Sequence, residues 1–405
     1  MDIHIKNGRV IDPFTNTDTV RDIYIKDGVL AEKSVGRVID ATGLWVFPGF
    51  IDLHTHLREP GSEYKEDIRS GSKAALAGGF TAVVAMPNTA PVVDNYNIVD
   101  YISKRAESIG LIDVYIAGAV TKGMEGTRLS KIIKEPLGGC TYLRCFSEDG
   151  LTVSDKNIMR DAFLLCKEKN LPMFSHCENI NAIYPDAESD IIARDIELAK
   201  DTGARLHICH VSTAKSVKLI NRTKKNLNIT AEACPHHFIL SEDSHDYTDA
   251  NYKMNPPLAA KNDVAAVIEG LKNGVIDCIA TDHAPHAPHE KKIPYNDAPN
   301  GIVGLETAIP LSFTYLVKTG VLSPLEFARK LAANPAKIIG LKKGLDIGDR
   351  ADITIIDPNK KFCIAPERFR SKSRNTPFGG FTCYGKIMFT IRAGVVFDFK
   401  RRFTK

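Results

Sequence analysis

The sequence predicts an α/β protein: a closed (β/α)8 barrel, the TIM-barrel architecture, with a small composite β-sandwich domain made from both chain ends. Three observations predict it. The middle of the chain alternates short apolar runs with amphipathic helical patterns, the texture of a parallel β/α fold. Eight such runs can be counted, and eight β/α units close a barrel. Both ends instead alternate apolar and polar residues around turn dipeptides, and neither has enough strands for a stable sheet alone.

Taken in order, residues 1–45 read as β strands, with Asn7-Gly8 and Asp27-Gly28 as short hairpin turns because these residue types tolerate positive φ. The barrel is expected over residues 46–342. Its strand-like runs are 46–53, 81–86, 114–120, 141–146, 171–175, 205–209, 229–234 and 277–281, with helical patterns such as 157–169, 190–200 and 264–272 between them. Residues 343–405 return to β texture at 351–356 and 386–391, with a turn at Ala393-Gly394 and a last strand at 395–397. The two ends are expected to pair with each other.

Composition excludes several function classes. A net charge of +4 is small for 405 residues, so no nucleic-acid partner is expected, and Lys400-Arg401-Arg402 reads as a solvated tail. Nine cysteines occur without a C-x-x-C pair. Cys209, Cys234 and Cys278 lie in apolar runs, as reduced core thiols do, which points to the cytoplasm. No leader opens the chain at Met1-Asp2-Ile3-His4, and no apolar run reaches the roughly 18 residues of a membrane span.

In a β/α barrel the chemistry sits at the C-terminal ends of the strands. His54 and His56 follow the first run two residues apart, so in an extended chain both imidazoles share a face and can approach one ion. Asn88 follows the second run, Asp149 the fourth, His176 the fifth, His210 the sixth, His236 and His237 the seventh, and Asp282, His283 and His286 the eighth. Histidine thus recurs at five of eight strand ends, the residue types of a binuclear hydrolytic site. His207, three positions before His210, is expected to face the other side of its strand. His4, His245 and His289 read as surface or loop residues.

The motifs Asp52-x-His54-x-His56-x-Arg58-Glu59-Pro60-Gly61, Met86-Pro87-Asn88-Thr89, Ser147-Glu148-Asp149-Gly150, His176-Cys177-Glu178, His210-Val211-Ser212-Thr213, Asn255-Pro256-Pro257-Leu258 and Thr281-Asp282-His283-Ala284-Pro285-His286 span the chain. Together they resemble the dihydroorotases of the larger, bacterial-type class, within the amidohydrolase superfamily. The resemblance implies a reversible cyclisation of N-carbamoyl-L-aspartate to dihydroorotate at two zinc ions. His54, His56 and Asp282 would hold one ion and His176 and His210 the other, with Asp149 and a hydroxide bridging them. Asp282 would be the catalytic base and acid. Arg58, Asn88 and His286 would bind the substrate carboxylate beside His56, and Asn255 with the backbone of Asn300 and Gly301 the ring amides. A homodimer and an association with aspartate transcarbamoylase are the implied partners.

Two features depart from the relatives. Hydantoinases, allantoinases and some dihydroorotases carry a carbamylated lysine on the fourth strand, whereas Tyr142-Leu143-Arg144 stands here and residues 137–155 contain no lysine. Asp149 must therefore bridge from the loop. The 34 residues from His176 to His210 are also fewer than the resemblance implies, so part of a rim loop is expected to be missing. The rival readings are a hydantoinase, dihydropyrimidinase or allantoinase, whose neutral rings give Arg58 no partner, and a non-catalytic assembly subunit, which would have lost metal ligands.

Overall fold

The computed structural model describes residues 2–244 and 246–399. The expectations for His245 and for the Lys400-Arg401-Arg402 tail lie outside them. Strands β1 (Ile3–Asp12), β2 (Thr17–Lys26), β3 (Val29–Ala31), β4 (Arg37–Asp40) and β5 (Trp45–Pro48) open the chain. The barrel strands follow: β6 (Phe50–Thr55), β7 (Phe80–Ala85), β8 (Asp113–Ala119), β9 (Leu143–Ser147), β10 (Met173–Ser175), β11 (Leu206–Ile208), β12 (Ile229–Ala233) and β13 (Cys278–Ile279). Between and after them run α1 (Ile68–Ala77), α2 (Tyr96–Ile109), α3 (Lys131–Lys134), α4 (Lys156–Glu168), α5 (Asp186–Thr202), α6 (Ala214–Thr223), α7 (Pro235–Ile239), α8 (Lys261–Lys272) and α9 (Pro288–Lys291). The chain ends with β14 (Ile353–Asp357), the short pair β15 (Phe362–Cys363) and β16 (Thr382–Cys383), then β17 (Lys386–Arg392) and β18 (Val395–Asp398).

β6 to β13 lie side by side in chain order, every neighbouring pair parallel. The ring closes where Thr55 bridges His283 and the His56 amide donates to the His283 carbonyl at 2.8 Å. Asp52 fastens the same seam from below, accepting from the Thr281 amide at 3.0 Å and its hydroxyl at 2.5 Å. The period-2 rule is visible on β7: Ala82 and Val84 pack inside the barrel with Ile51, Leu53 and Phe174, while Val83 and Ala85 join the cluster under the helices. Among the described residues no helix is long and apolar enough to cross a membrane. The nine cysteines are all free thiols, with Cys209, Cys234 and Cys278 buried.

Two expectations need correction. Residues 46–53 are two strands in two sheets, because β5 pairs with β1 and β14 whereas β6 pairs with β7. The chain therefore passes from the β domain into the barrel at Gly49, not at residue 46. An apolar run carries no mark of which sheet it joins, since both burials look alike in sequence. Asn7-Gly8 is likewise an irregularity inside β1, where the register against β2 shifts between Ile5 and Gly8. Its glycine serves close approach: a Cβ there would lie 2.6 Å from Val46 Cγ2. Asp27-Gly28 does form the two-residue hairpin between β2 and β3, with φ of 51 and 82°.

The two chain ends form one connected sheet, joined where β5 pairs with β14 from Trp45↔Ile356 to Pro48↔Ile353. It forks at β1, whose edge is shared by β4 along Ile3 to Lys6 and by β5 at Arg9 and Val10. Ile3, Ile5, Val46, Ile353 and Ile391 fill its core.

Candidate active site

A cavity of about 180 Å³ opens at the C-terminal end of the barrel, lined from the loops after β6, β7 and β9 to β13. It is lined by the metal-binding and substrate-binding residues that the resemblance implies, except His54, which is fully buried beneath it. His54 Nε2 lies 3.1 Å from Asp149 Oδ1 and 3.5 Å from Asp282 Oδ1. His56 Nε2 lies 3.1 Å from Asp282 Oδ1 and 3.3 Å from Asp149 Oδ2. From the other side His176 Nδ1 and His210 Nε2 each approach Asp149 Oδ1 to 3.5 Å. Asp149 thus stands between the two histidine pairs, one oxygen toward His176, His210 and His54 and the other toward His56.

Partners on the far side of three of the four rings decide which nitrogen faces the centre. His54 Nδ1 donates to Glu232 Oε1 at 2.7 Å, His56 Nδ1 to Asn88 Oδ1 at 2.9 Å, and His176 Nε2 to Glu178 Oε2 at 3.2 Å. Each bond leaves the other nitrogen's lone pair pointing at the carboxylates. His54 Nε2 and Asp149 Oδ1 are buried and make no hydrogen bond, so two lone pairs meet unless a cation joins them. Four imidazoles and two carboxylates are the donor set of a divalent transition metal. Two ligand triplets are gathered here, His54 with His56 and Asp282, and His54 with Asp149 and His210.

The charges agree. Burial pushes the carboxyls of Asp149 and Asp282 up, but the neighbouring histidines, His54 foremost, outweigh it and hold both well below the usual carboxylate range. Burial lowers His176 as well, yet the nearby carboxylates of Asp149 and Glu178 raise it to about 9. The cluster is thus built to concentrate positive charge.

Residues 45–397 match the amidohydrolase family. Dihydroorotases of Acetivibrio thermocellus and Geobacter metallireducens are 42% and 43% identical, over 97% and 98% of this chain and 98% and 99% of theirs. The chain belongs to the amidohydrolase family, in its dihydroorotase branch. The L-hydantoinase (dihydropyrimidinase) of Arthrobacter aurescens shares the fold with a TM-score of 0.87 at 25% identity, over 98% of this chain and 95% of that one. Aligned with the A. thermocellus dihydroorotase, the amidohydrolase spans 419 positions, more than its own 405 residues. That relative therefore carries residues with no counterpart here. After His176, residues 177–185 lead into α5 and flank a second cavity of about 280 Å³ that shares His176, Asn255 and Asn300 with the first.

Local chemistry explains how the amidohydrolase holds these side chains out. β11 ends at Ile208, and the loop turns at His210, whose φ is 35°. Ser212 and Thr213 then donate through amide and hydroxyl to the buried Glu188 of α5, while Thr213 caps α6 by accepting from the Ser216 amide. Arg58 and Asp282 also have left-handed φ, 63 and 47°. Such strain of about 1 to 3 kcal/mol each persists only where surrounding contacts over-determine it.

The substrate-binding candidates are placed as follows. The Arg58 guanidinium donates to the Pro285 carbonyl at 3.2 Å and lies 3.5 Å from His286 Nε2, with no ion pair among the described residues. Burial lowers its pKa. His286 Nε2 bonds the Asn300 carbonyl at 2.8 Å, and burial, then the Arg58 charge, lowers it to about 3, which keeps the ring neutral. Asn255 Nδ2 donates to Glu178 Oε2 at 2.8 Å. Gly301 has φ 120°, and a Cβ there would stand 2.5 Å from Ala284; its amide donates to the Lys253 carbonyl at 2.9 Å.

His207 corrects an expectation. His207 points inward from within β11, where its Nε2 meets Glu232 Oε2 at 3.0 Å and its Nδ1 meets Thr230 Oγ1 at 2.8 Å; His210 shares that side because strand alternation stops at Ile208 and the chain turns. His207 belongs to the support of the site. His236 and His237 are buried in α7 and do not line the cavity; His283 is tied to Glu66 at 3.3 Å. Glu232 escaped the sequence reading, and Glu178 was read only as part of the motif after His176, without a role. The signal for Glu232 was a carboxylate in the middle of an apolar run, which burial tolerates only with partners.

Proposed function

We propose that this amidohydrolase is a dihydroorotase, interconverting N-carbamoyl-L-aspartate with (S)-dihydroorotate and water in pyrimidine (UMP) biosynthesis in the cytoplasm. One observation carries the reading beyond the family: Arg58, a partly buried guanidinium at the cavity wall without a carboxylate partner. A desolvated cation left unpaired is costly, and the ring carboxylate of dihydroorotate supplies what is missing. The neutral rings of hydantoin and dihydrouracil do not.

His54, His56, Asp149, His176, His210 and Asp282 would hold two zinc ions, Asp149 shared between them. Bound there, the ions supply a water of depressed pKa and polarise the ring carbonyl. The rest falls to side chains. Arg58, with Asn88 and His286 beside it, fixes the carboxylate, and Asn255 with Asn300 and Gly301 faces the ring amides. In hydrolysis Asp282 accepts the proton of the attacking water. It returns that proton to the ring nitrogen as the carbon–nitrogen bond breaks, and ring closure runs the same transfers backward. A homodimer and an association with aspartate transcarbamoylase are partners proposed from the resemblance alone.

The test is turnover of the purified protein alone with both substrates. Asp282→Asn should bind substrate yet lose several orders of magnitude in rate, more than the roughly 10² to 10⁴ of acid–base help, because a metal ligand is weakened too. Near-normal turnover by the variant would remove Asp282 from the mechanism.

A further inference from the structure

Lys291 closes α9, nine residues beyond Asp282, and only 8% of it is exposed. Its ammonium donates to three carbonyls: Pro299 at 2.7 Å, Ala250 at 3.0 Å and Lys253 at 3.3 Å. Three donors meet three acceptors, so the group is fully satisfied, yet it makes no ion pair among the described residues. The acceptors belong to two loops. Ala250 and Lys253 precede Asn255, and Pro299 precedes Asn300 and Gly301. The same two loops are joined once more where the Gly301 amide donates to the Lys253 carbonyl at 2.9 Å. Lys291 itself lines neither cavity beside the metal cluster.

We propose that Lys291 is a positioning residue, clamping the loop of Asn255 to the loop of Asn300 and Gly301 and so fixing the wall against which the substrate ring lies. The inference rests on the dihydroorotase reading for the identity of that ring. A buried ammonium is an expensive way to fill space, and a methionine of similar length would pack at lower cost; what lysine adds is three directed bonds across a loop junction. The titratable groups around it are Lys253, Asp249, Glu290 and His286, whose ring the Lys291 charge helps to keep neutral. Burial, then the Lys253 charge, lowers its pKa to about 8, so the clamp loses one of its three donors within reach of ordinary assay conditions.

Lys291→Met and Lys291→Arg, measured as full-length metal-loaded protein, test this. For Lys291→Met the KM for dihydroorotate should rise about 10- to 100-fold, the signature of lost uniform binding, while kcat and metal content stay near wild type. Amide exchange at residues 250–255 and 300–302 should quicken. In the wild type KM should climb above about pH 8, whereas Lys291→Arg, whose guanidinium does not titrate there, should keep a level KM and slow exchange. A loss in kcat at unchanged KM, or unchanged exchange in Lys291→Met, would overturn the clamp. Exchange is read without turnover. If the wild type failed to turn over dihydroorotate, the proposed function would fall while the exchange result still decided for or against Lys291.

Discussion

Arg58 and Glu232 show at single-residue scale how much of the site is electrostatics held in place by backbone. Arg58 sits at φ 63°, a conformation that aims its guanidinium across the cavity mouth toward Pro285 and His286. Truncating one partner of a buried charge pair costs about 2 to 5 kcal/mol, roughly a factor of 30 to several thousand. Arg58→Met should therefore lose at least about tenfold in kcat/KM for dihydroorotate and keep its metals, while hydrolysis of uncharged dihydrouracil changes far less. Equal losses on both substrates would make Arg58 a structural residue. Glu232 acts through His54 and His207, whose bonds and charge outweigh burial and hold its carboxyl near 2. In Glu232→Gln the amide cannot accept from both imidazoles as the carboxylate does, so metal affinity measured by competition with a chelator should drop about 10- to 100-fold. Unaltered affinity would show that the His54 tautomer is set elsewhere.

At the scale of elements, β9 decides which carboxylate stands between the two histidine pairs. It ends at Ser147 with Arg144 inside it, and no lysine stands where a carbamate could form. Asp149 reaches the centre because it lies in the loop beyond the strand, where its amide is steadied by the Ser147 hydroxyl at 3.1 Å. Stripping bicarbonate before metal reconstitution should leave activity unchanged; recovery that required added carbon dioxide would contradict the aspartate bridge. The strand ends were legible because apolar runs and the catalytic residue types mark them together. β5 and β6 were not separable, since the choice between sheets is made by pairing partners distant in sequence.

For the whole molecule, the barrel and the β domain are joined by ion pairs as well as packing. Asp113, at the start of β8, bonds Arg350 and Arg392 of the β domain. Burial alone would raise Asp113, but Lys343 and the two arginines outweigh it and hold its carboxyl below the usual range. A depressed folded-state pKa contributes stability above the unfolded value of about 3.9, and that contribution is lost as pH falls through the folded value. Asp113→Asn should cost about 1 to 2 kcal/mol near neutrality, discounted for the half-exposed Arg350. The gap to wild type should narrow in acid below about pH 4; a pH-independent gap would mean that packing, not charge, holds the junction. What the sequence by itself determined was the β/α alternation, the pairing of the chain ends and the residues that line one cavity, because periodicity and strand-end chemistry are local and repeat. Only the tertiary structure decided which nitrogen of each histidine faces the centre, that His207 turns inward beneath the site, that residues 46–53 serve two sheets, and that Lys291 ties two loops together. Each of these depends on partners tens to hundreds of residues away, or on a backbone angle that no local pattern encodes.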